Sequence, residues 1–323
     1  MDEFSLIQRF FSVPGPDVGD NRVNLGIGDD TAIIKADSGE ELLFTTDTLI
    51  SGVHFPEATD PTAIGHKSLA VNLSDIAAMG RQARWFTLAL SLPDIDTDWL
   101  QSFSTGLLLL AKKFGVSLVG GDTTRGALSI TISVIGTVPE GTAVRRSGAR
   151  PGDTIFVTGH PGMAALGLAS IKGNIDLPDT IKTAFQKKLD YPHPRLQEGN
   201  CLRNTATSMI DISDGLAADL GHILAASECS AVIDSDSLSH WQPASSALAG
   251  TRLLDAALYG GDDYELLFTV PMDMSVLLEQ EWRSSFSPLL RIGDITEGTG
   301  LMVRDRHGNL MKITERGYNH FHD

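Results

Sequence analysis

The chain has 323 residues, of which 42% are hydrophobic, and this size suits two domains that each bury a core. Lys and Arg number 25 against 41 Asp and Glu, so the net charge is -16. Because this charge repels nucleic acid and anionic membranes at long range, we expect neither as a partner. A cationic or metal-bound partner is favoured instead.

The sequence carries no signal for export. Its N-terminus, MDEFSLIQRF, lacks a basic region followed by an apolar core, and no segment approaches about eighteen uninterrupted apolar residues. The two cysteines, Cys201 and Cys229, are too few for a disulfide framework and have no CxxC spacing. We therefore expect a cytoplasmic protein in which both cysteines are small buried residues.

The first clear strand is predicted over residues 41–50, ELLFTTDTLI, which are rich in β-branched and aromatic types. We expect this strand to end near Asp47. A polar loop that contains His54 follows it.

A long helix is predicted next, because Asp60-Pro61 combines an N-cap acceptor with a first-turn proline and Gly80 is a plausible end. Apolar residues cover most of its circumference, so we expect it to be buried. Ser68, Asn72 and Asp75 nevertheless follow the spacing i, i+4 and i+7, which places them on one helical face. This narrow polar seam requires an explanation.

Strands and helices are mixed in the rest of the chain. Residues 116–126 predict a strand that opens into a glycine turn, and with the strand that follows them they look like an antiparallel pair within 116–138. This pattern favours a mixed α/β (α+β) fold over a strictly wound βαβ sheet. The other predicted elements are a strand at 83–92, a helix at 98–115 closed by Gly115, strands at 127–138 and 154–159, a helix at 162–171, a strand, turn and helix over 208–227, and a helix then strand over 252–271.

A domain boundary is predicted near residue 150. The segment 145–153, RRSGARPGD, mixes basic residues, glycine and proline without periodicity, as connectors do. We therefore expect domains at 1–150 and 151–323. The segments NLSDIAAMG (72–80) and DISDGLAADLG (211–221) share a Ser-Asp pair and indicate either an internal repeat or two independent helix starts.

Aspartates recur in short patterns with small neighbours, each predicted at the end of an element or in a turn. One Asp-Gly pair alone predicts an ordinary turn, but the recurrence, with Asp75 on a buried helix, favours ligand binding. Carboxylates without clusters of His or Cys suit Mg²⁺ better than Zn²⁺, and Mg²⁺ usually bridges a few carboxylates to a polyphosphate. Several ions on one nucleotide are therefore expected. The patterns are GIGDD (26–30), TTDT (45–48), NLSD (72–75), GGDTTRG (120–126), DISDG (211–215) and GGDD (260–263).

Common nucleotide-binding motifs are absent. No GxxxxGK[ST] occurs, Gly26-Ile27-Gly28 lacks the third glycine of a dinucleotide fingerprint, and neither HRD nor DFG is present. A phosphoryl-transfer enzyme with this sequence must use another fold. Of nine histidines, His54 alone closely follows a candidate metal-binding strand, and a lone loop histidine is more often solvated than catalytic.

The ordered set of motifs resembles that of the thiamine-monophosphate kinase family, which belongs to the superfamily typified by aminoimidazole ribonucleotide synthetase (PurM-like). The likeness runs from EFSLIQRFF to the terminal GYNHF. It implies an N-terminal sheet domain that dimerises, a C-terminal α/β domain and an active site between them. It also implies transfer of the γ-phosphoryl group of ATP to thiamine phosphate, with Mg²⁺. The motifs are GIGDD, TTDTL, GVHF (52–55), AVNLSDIAAMG, GGDTTRG, RSGA, DISDGL and GGDDYEL.

The resemblance also implies roles for individual positions. The implied metal ligands are Asp30, Thr45, Thr46, Asp47, Asp75, Asp122, Asp211 and Asp214. The implied ATP contacts are Gly121, Asp122, Arg146 and Ser213, and the implied thiamine phosphate contacts are His54, Asp262 and Tyr318. Asp262 is often Glu in relatives, which keeps the charge but changes its reach.

No general base is expected, because the acceptor is a phosphate that is already deprotonated near pH 7. Positioning and cations that neutralise charge account for most catalysis of phosphoryl transfer. We therefore expect direct in-line transfer without a phosphoenzyme, with His54 as a substrate contact. The cationic thiazolium ring of the acceptor also suits an acidic pocket.

The alternatives are another enzyme of the same superfamily and a protein without catalytic activity. Selenophosphate synthetase and the hydrogenase-maturation protein typically need a reactive cysteine near one terminus, whereas Cys201 and Cys229 both lie inside the second half. An enzyme similar to aminoimidazole ribonucleotide synthetase is the better enzymatic alternative. A non-catalytic sensor of nucleotide or thiamine diphosphate is the other, although binding alone would tolerate loss of several of these carboxylates.

Overall fold

The computed structural model describes residues 3–11, 22–25, 27, 33–239, 248, 250–313 and 317. The chain divides into two compact units, one formed by residues 1–76 and 81–142 and the other by 77–80 and 143–323. Residues 143–150 thus belong to the second compact unit. The domain boundary near residue 150 stays a prediction. Asp30 and Tyr318 lie outside the described residues.

The first unit is built on a four-stranded sheet with the order β3-β6-β4-β5. Strand β6 pairs antiparallel with both β3 and β4, and β5 pairs parallel with β4. Ile130, Ile132 and Val134 of β6 are fully buried on one sheet face. The elements of this unit are α1 (Glu3–Phe10), β1 (Val23–Leu25), β2 (Ile33–Ile34), β3 (Glu40–Ile50), α2 (Pro61–Ala78), β4 (Gln82–Leu92), α3 (Thr97–Phe114), β5 (Ser117–Arg125) and β6 (Ser129–Pro139).

Three expectations about these strands are wrong. Strand β3 does not end near Asp47 but continues to Ile50, because it stays paired with β6 over its whole length. The GGDTTR segment is part of β5 and not a turn, since Gly121 lets β5 approach β4 where a Cβ would lie 1.9 Å from the Leu88 carbonyl oxygen. Strands β5 and β6 are not neighbours, because β4 lies between them. Asp47 and Asp122 therefore lie inside strands and not at their ends.

The predicted helix α2 is confirmed, with Asp60 as its N-cap. The Asp60 carboxylate accepts the Thr62 backbone N–H at 2.7 Å, which satisfies a donor that the helix itself leaves unpaired. Most of α2 is buried, as its composition predicts. Gly65 and Gly106 allow α2 and α3 to pack closely, because a Cβ at either position would overlap the backbone of the other helix.

The second unit contains a seven-stranded sheet with the order β13-β12-β9-β11-β7-β10-β8. Neighbouring strands are antiparallel except β9 and β12, which are parallel, so the sheet is mixed as predicted. Apolar side chains of α7 pack on this sheet and form its core. The elements are β7 (Thr154–Thr158), α4 (Met163–Ile171), α5 (Asp179–Asp190), α6 (Leu196–Leu202), β8 (Ser208–Asp211), α7 (Leu216–Ser227), β9 (Ser230–Asp234), α8 (Ser235–Ser239), α9 (Gly250–Tyr259), β10 (Leu266–Val270), α10 (Met272–Glu281), β11 (Leu289–Thr296), β12 (Gly300–Arg304) and β13 (Leu310–Ile313).

Two smaller expectations can be compared with these elements. Ser74-Asp75 lies inside α2, whereas Ser213-Asp214 precedes α7, so the two Ser-Asp segments occupy different positions and the first is not a helix start. Cys229 is buried as expected, but Cys201 is exposed on the solvent side of α6, so that part of the expectation is wrong. Among the helices that the structure describes, none has the length and apolar character needed to span a membrane. The cytoplasmic location stays a prediction.

Candidate active site

The first group of candidate residues, within the first unit, contains a pair of carboxylates, Asp47 on β3 and Asp75 on α2. Burial, the charge of Asp75 and a hydrogen bond with Asp75 together raise the pKa of Asp47 to about 7. The Thr45 hydroxyl, two residues earlier on the same side of β3, donates a hydrogen bond to the Asp75 carboxylate at 2.5 Å. Strand β3 and helix α2 thus bring Thr45, Asp47 and Asp75 together, as the resemblance implied.

The polar seam of α2 holds this pair in place. Asn72 is fully buried, and its side-chain oxygen accepts the Asp47 backbone N–H at 3.1 Å. Its side-chain nitrogen donates to the Ser68 carbonyl oxygen at 3.2 Å. Because β3 is an edge strand, Asn72 supplies the hydrogen-bond partner that a further strand would otherwise provide. The amide therefore ties the strand to the helix beside the two carboxylates.

These side chains fit Mg²⁺ by the chemistry of their donor atoms. Two carboxylates and a hydroxyl are hard oxygen ligands, and two adjacent carboxylates are costly unless a cation compensates them. No group of three or more His, Cys, Asp and Glu side chains is arranged for metal binding in the described ranges. The pair therefore matches the usual Mg²⁺ arrangement, in which one or two carboxylates act together with substrate phosphates and water.

Thr46 and Asp122 lie on the other face of the same sheet. The Thr46 hydroxyl is hydrogen-bonded to the Ser133 hydroxyl at 2.8 Å and lies apart from Thr45, so its implied role as a metal ligand stays a prediction. Asp122 is exposed and shares a row across the sheet with Thr48. The three strand spacings between β3 and β5 separate Asp122 from Asp47 by about 14 Å. Within one chain, these two implied ligands are not brought together.

A second group of candidate residues, within the second unit, lies at the turn between β8 and α7. Asp211 is buried at the end of β8, and Ser213 and Asp214 follow it. The buried carboxylate of Asp219 accepts the backbone N–H groups of Ser213 and Asp214 at 3.1 and 3.2 Å. Burial and the charge of Asp214 raise the pKa of Asp219 to about 7. Asp219 thus sets the shape of the turn, a role that motif reasoning missed although the residue lies eight positions after Asp211.

The turn at 262–264 packs directly against this Ser213 turn. Asp262 and Tyr264 have φ angles of 69° and 51°, which are unusual for residues other than glycine. The Asp262 N–H donates to the Ser213 carbonyl oxygen at 2.9 Å, and the Tyr264 hydroxyl donates to the Asp262 carboxylate at 3.1 Å. Such left-handed conformations persist only where surrounding contacts impose them, often at functional sites. Ser213 and Asp262, predicted from separate motifs, are therefore neighbours.

Buried carboxylates in and next to the 262–264 turn hold it in place through hydrogen bonds and ion pairs. The Glu265 carboxylate is held by Arg195 through two hydrogen bonds of 2.6 Å and by Lys188 at 3.2 Å. Burial opposes ionisation of Glu265, but Arg195 and Lys188 outweigh it and lower its pKa. Asp263 is also buried and accepts the N–H groups of Gly162 and Ala164 at the start of α4. The GGDDYEL motif therefore combines one substrate-contact candidate with two structural carboxylates, which the sequence pattern does not separate.

Two other predicted residues are placed as follows. The His54 ring accepts the Ile50 backbone N–H on Nδ1 at 3.0 Å, which fixes its orientation and leaves the proton on Nε2. Arg146 is exposed in the second unit, and its carbonyl oxygen accepts a 3.4 Å hydrogen bond from the Ser227 hydroxyl.

Comparison with known proteins defines the class. Residues 28–138 match the AIR synthase related protein, N-terminal domain, and residues 150–307 match the AIR synthase related protein, C-terminal domain. The chain is thus a two-domain AIR synthase related protein. The thiamine-monophosphate kinase of Escherichia coli (strain K12) is 44% identical over 320 residues, which cover 99% of this chain and 98% of that protein. The enzyme of Bacillus subtilis (strain 168) is 35% identical over 99% of this chain and 100% of its own. The chain belongs to the thiamine-monophosphate kinase family.

Solved structures agree with this assignment. The thiamine-monophosphate kinase from Stenotrophomonas maltophilia K279a has 42% identity and a TM-score of 0.86, over 94% of this chain and 96% of that one. AaThiL, complexed with AMPPCP and TMP, has 29% identity and a TM-score of 0.77, over 98% and 96% of the two chains. Escherichia coli HypE, a hydrogenase maturation protein, has a TM-score of 0.79 at 18% identity over 98% of this chain and 97% of its own, a likeness of fold alone.

Proposed function

We propose that this protein transfers the γ-phosphoryl group of ATP directly to thiamine phosphate and so forms thiamine diphosphate. The observation that carries the proposal is the Asp47–Asp75 pair, whose oxygen atoms suit Mg²⁺, in a chain of this family. The complex of AaThiL with AMPPCP and TMP supports the same pair of substrates. The products are ADP and thiamine diphosphate.

The residues of the chain position the reactants in this proposal. When bound, Mg²⁺ would neutralise charge on the transferred group. Thr45, Asp47 and Asp75 would hold one ion, and Asp30, Thr46, Asp122, Asp211 and Asp214 are the proposed ligands of further ions. No side chain has to remove a proton from the acceptor phosphate, so His54 acts as a contact for substrate. Its fixed ring, with the proton on Nε2, suits donation to an anionic oxygen.

ATP and acceptor contacts are proposed for separate residues. Gly121, Asp122, Arg146 and Ser213 would contact ATP, whereas His54, Asp262 and Tyr318 would contact thiamine phosphate. The hydrogen bond between the Asp262 N–H and the Ser213 carbonyl oxygen supports these assignments, because phosphoryl transfer requires the two substrates to be bound next to each other. The Asp262 carboxylate is also suited to the cationic thiazolium ring.

We also propose that the protein is a homodimer that pairs through the sheet of its first unit. Leu42 and Phe44, on the outer face of β3, are 55% and 69% exposed. A flat sheet face with large exposed apolar side chains at its edge favours association with a second copy. Thr46 and Asp122 lie on this same face, so the contact between copies would include them.

One assay tests the proposed activity. The protein is incubated with ATP, Mg²⁺ and thiamine phosphate, and ADP and thiamine diphosphate are measured by chromatography. We expect equal amounts of the two products and, with Mg²⁺ and ATP, a higher melting temperature. Absence of turnover with every divalent metal tried would overturn the kinase proposal. Binding without turnover would favour the sensor, and turnover only with the acceptor of the purine enzyme would favour that alternative.

A further inference from the structure

A lysine side chain is buried in helix α2, and the proposed mechanism has given it no role. Lys67 is only 3% exposed, although lysine is among the residues least often found inside proteins. Its neighbours one helical turn away, Ile64 and Val71, are buried and apolar. Burial of an ammonium group is costly unless polar groups compensate the charge, and a methionine would fill a similar space without that cost. The charge at this position therefore requires an explanation.

The Lys67 ammonium contacts the loop that joins β3 to α2. Its Nζ donates a hydrogen bond to the main-chain carbonyl oxygen of His54 at 3.3 Å. The two residues are 13 positions apart, so the contact joins the helix to the loop and is not a feature of the helix itself. His54 is the residue proposed above as a contact for the acceptor. Lys67 therefore holds the backbone that carries that side chain.

The loop is tightly closed, so a shift of the His54 carbonyl oxygen would also move the His54 ring. The His54 N–H donates to the Ile50 carbonyl oxygen at 3.0 Å, and the ring accepts the Ile50 N–H on Nδ1 at 3.0 Å. The Gly52 N–H donates to the Phe55 carbonyl oxygen at 2.9 Å, with Gly52 at a φ of 79° and Phe55 buried. The N–H, the ring and the carbonyl oxygen of His54 thus all have defined partners, and Lys67 is the partner of the carbonyl oxygen.

Helix α2 connects this contact to the carboxylate pair. Lys67 and Asp75 are eight positions apart on the helix, a rise of about 12 Å along its axis. Between them, Asn72 accepts the Asp47 backbone N–H and so joins β3 to the same helix. Because α2 packs closely against α3, it is a rigid support for both contacts. The helix therefore holds His54 at a fixed distance from Asp47 and Asp75.

We infer that Lys67 is a positioning residue for phosphoryl transfer. It fixes the His54 ring relative to the Asp47–Asp75 pair, so that the Nε2 proton faces the phosphate of the acceptor. In-line transfer depends on the placement of the acceptor, and an error of about 1 Å can cost about a hundredfold in rate. The ammonium suits this role because a charged donor forms a hydrogen bond about twice as strong as a neutral one. This inference rests on the proposed function.

The first test observes the His54 ring and does not depend on activity. In the full chain with isotope-labelled histidine, nitrogen NMR distinguishes a ring protonated on Nε2 from one protonated on Nδ1, and His54→Gln identifies the signals. We expect only the Nε2 form in wild type. Lys67→Met, which keeps the length of the side chain and removes its donor, should give a mixture of both forms. Lys112→Met, on the exposed surface of α3, is the matched control and should keep the wild-type signals.

Steady-state kinetics tests the effect on transfer. Lys67→Met should lower kcat/KM for thiamine phosphate at least about tenfold, mainly by raising the KM for this substrate, while the KM for ATP stays within about twofold. In a His54→Ala background, the same substitution should change kcat/KM by less than about twofold, because its effect is exerted through the ring. Circular dichroism and melting temperature establish that each variant is folded.

A purely structural role of Lys67 would give a different pattern. Loss of folded protein lowers kcat and leaves both KM values unchanged. That pattern, an equal effect of Lys67→Met with and without the His54 ring, or an Nε2 form that persists in Lys67→Met would overturn the inference. If Lys67→Met does not fold, Lys67→Gln keeps a neutral donor and should show the same changes by a smaller factor, again only when the His54 ring is present. A wild-type protein without activity would overturn the proposed function, whereas the spectra would still decide whether Lys67 orients the ring.

Discussion

Asp47 and Asp75, which lie 28 positions apart in the sequence, share one site in which burial, and after it the charge of Asp75, raises the pKa of Asp47. Asp47 lies on the edge strand β3, and Asp75 lies on the buried helix α2. Asn72 joins these two elements, so the pair is held before any ligand arrives. Such fixed repulsion is costly for the folded protein and is relieved by a bound cation.

Replacing Asp47 by Asn should lower turnover at least about a hundredfold, because the cation loses one of its fixed carboxylates. Asp122→Asn should have an effect of similar size, although Asp122 lies on the other face of the sheet. Steady-state rates with ATP and thiamine phosphate measure both. Asp94→Asn, which removes an exposed carboxylate paired with Arg125, serves as the control. Rates near normal would remove Asp47 or Asp122 from the site.

The metal-free protein should become less stable as the pH rises from about 4 to 8. The pKa of Asp47 is raised from 3.8 to about 7, so within this window the folded state binds more protons than the unfolded state. The contribution of Asp47 to the stability of the folded state is fully present below pH 3.8 and is lost as the pH rises through 7. Asp219, with a pKa raised to about 7, acts in the same direction.

Asp47→Asn should therefore raise the metal-free melting temperature at pH 8 relative to wild type, with little change at pH 4, measured by thermal unfolding in EDTA. Glu140→Gln, in an exposed turn, controls for the change in net charge. The same shift in melting temperature for Asp47→Asn and Glu140→Gln, or no shift for Asp47→Asn at pH 8, would show that the carboxylate pair does not cause the loss of stability at high pH.

Asp219→Ala should lower kcat/KM for ATP by about 10–100-fold, the usual cost of losing a group that orients a ligand-binding residue. The substitution leaves the Ser213 and Asp214 N–H groups without their acceptor. Asp219→Asn, which keeps one acceptor oxygen, should retain more activity than Asp219→Ala. His222→Ala, an exposed substitution on the same helix, is the control. If Asn and Ala variants were equally impaired, the hydrogen-bond explanation would fail.

Gly121→Ala should destabilise the first unit by more than about 3 kcal/mol, because the new Cβ overlaps the backbone of β4. Gly39→Ala places its Cβ in open space at a φ of 81° and should cost only about 1–2 kcal/mol. Urea unfolding compares the two variants. Equal free energies of unfolding for the two variants would show that stability does not require the close approach of β5 to β4. The proposed contact with ATP would then explain why residue 121 is glycine.

Phe44→Glu should separate the proposed homodimer, because it places a charge in an apolar contact. Analytical ultracentrifugation measures the mass of wild type and variant. Leu109→Glu is the matched control, since Leu109 is 61% exposed on α3, away from the outer face of β3. A wild-type monomer, or a Phe44→Glu dimer as stable as wild type, would contradict the proposed interface.

Much of the local structure follows from the sequence alone. Helix α3 could be predicted to begin near Asp98 and to close at Gly115, because periodic apolar residues are bounded by signals that act within one turn; in the structure Asp96 caps it and Gly115 has a φ of 67°. The same holds for the strand, turn and helix around Asp211. The order of the motifs was also sufficient to predict the family, since that order needs no three-dimensional information.

The alternation of β3 could have separated Thr45 from Thr46, because successive side chains of a strand point to opposite faces. The sequence alone contains this distinction, because it depends only on the two-residue period of a strand. The two carboxylates of GGDDYEL besides Asp262 are different: only the fold reveals that Asp263 accepts hydrogen bonds from α4 and that Glu265 is paired with Arg195.

The amino-acid sequence by itself determined the elements, their caps and the family to which the chain belongs, because these depend on short-range periodicity and on motif order. Only the tertiary structure decided that Asp47 meets Asp75 while Asp122 lies on the other sheet face. It also decided that β4 separates β5 from β6, and that the Asp262 N–H meets the Ser213 carbonyl oxygen. These relationships depend on strand order and on packing between residues distant in the chain, which local preferences do not encode.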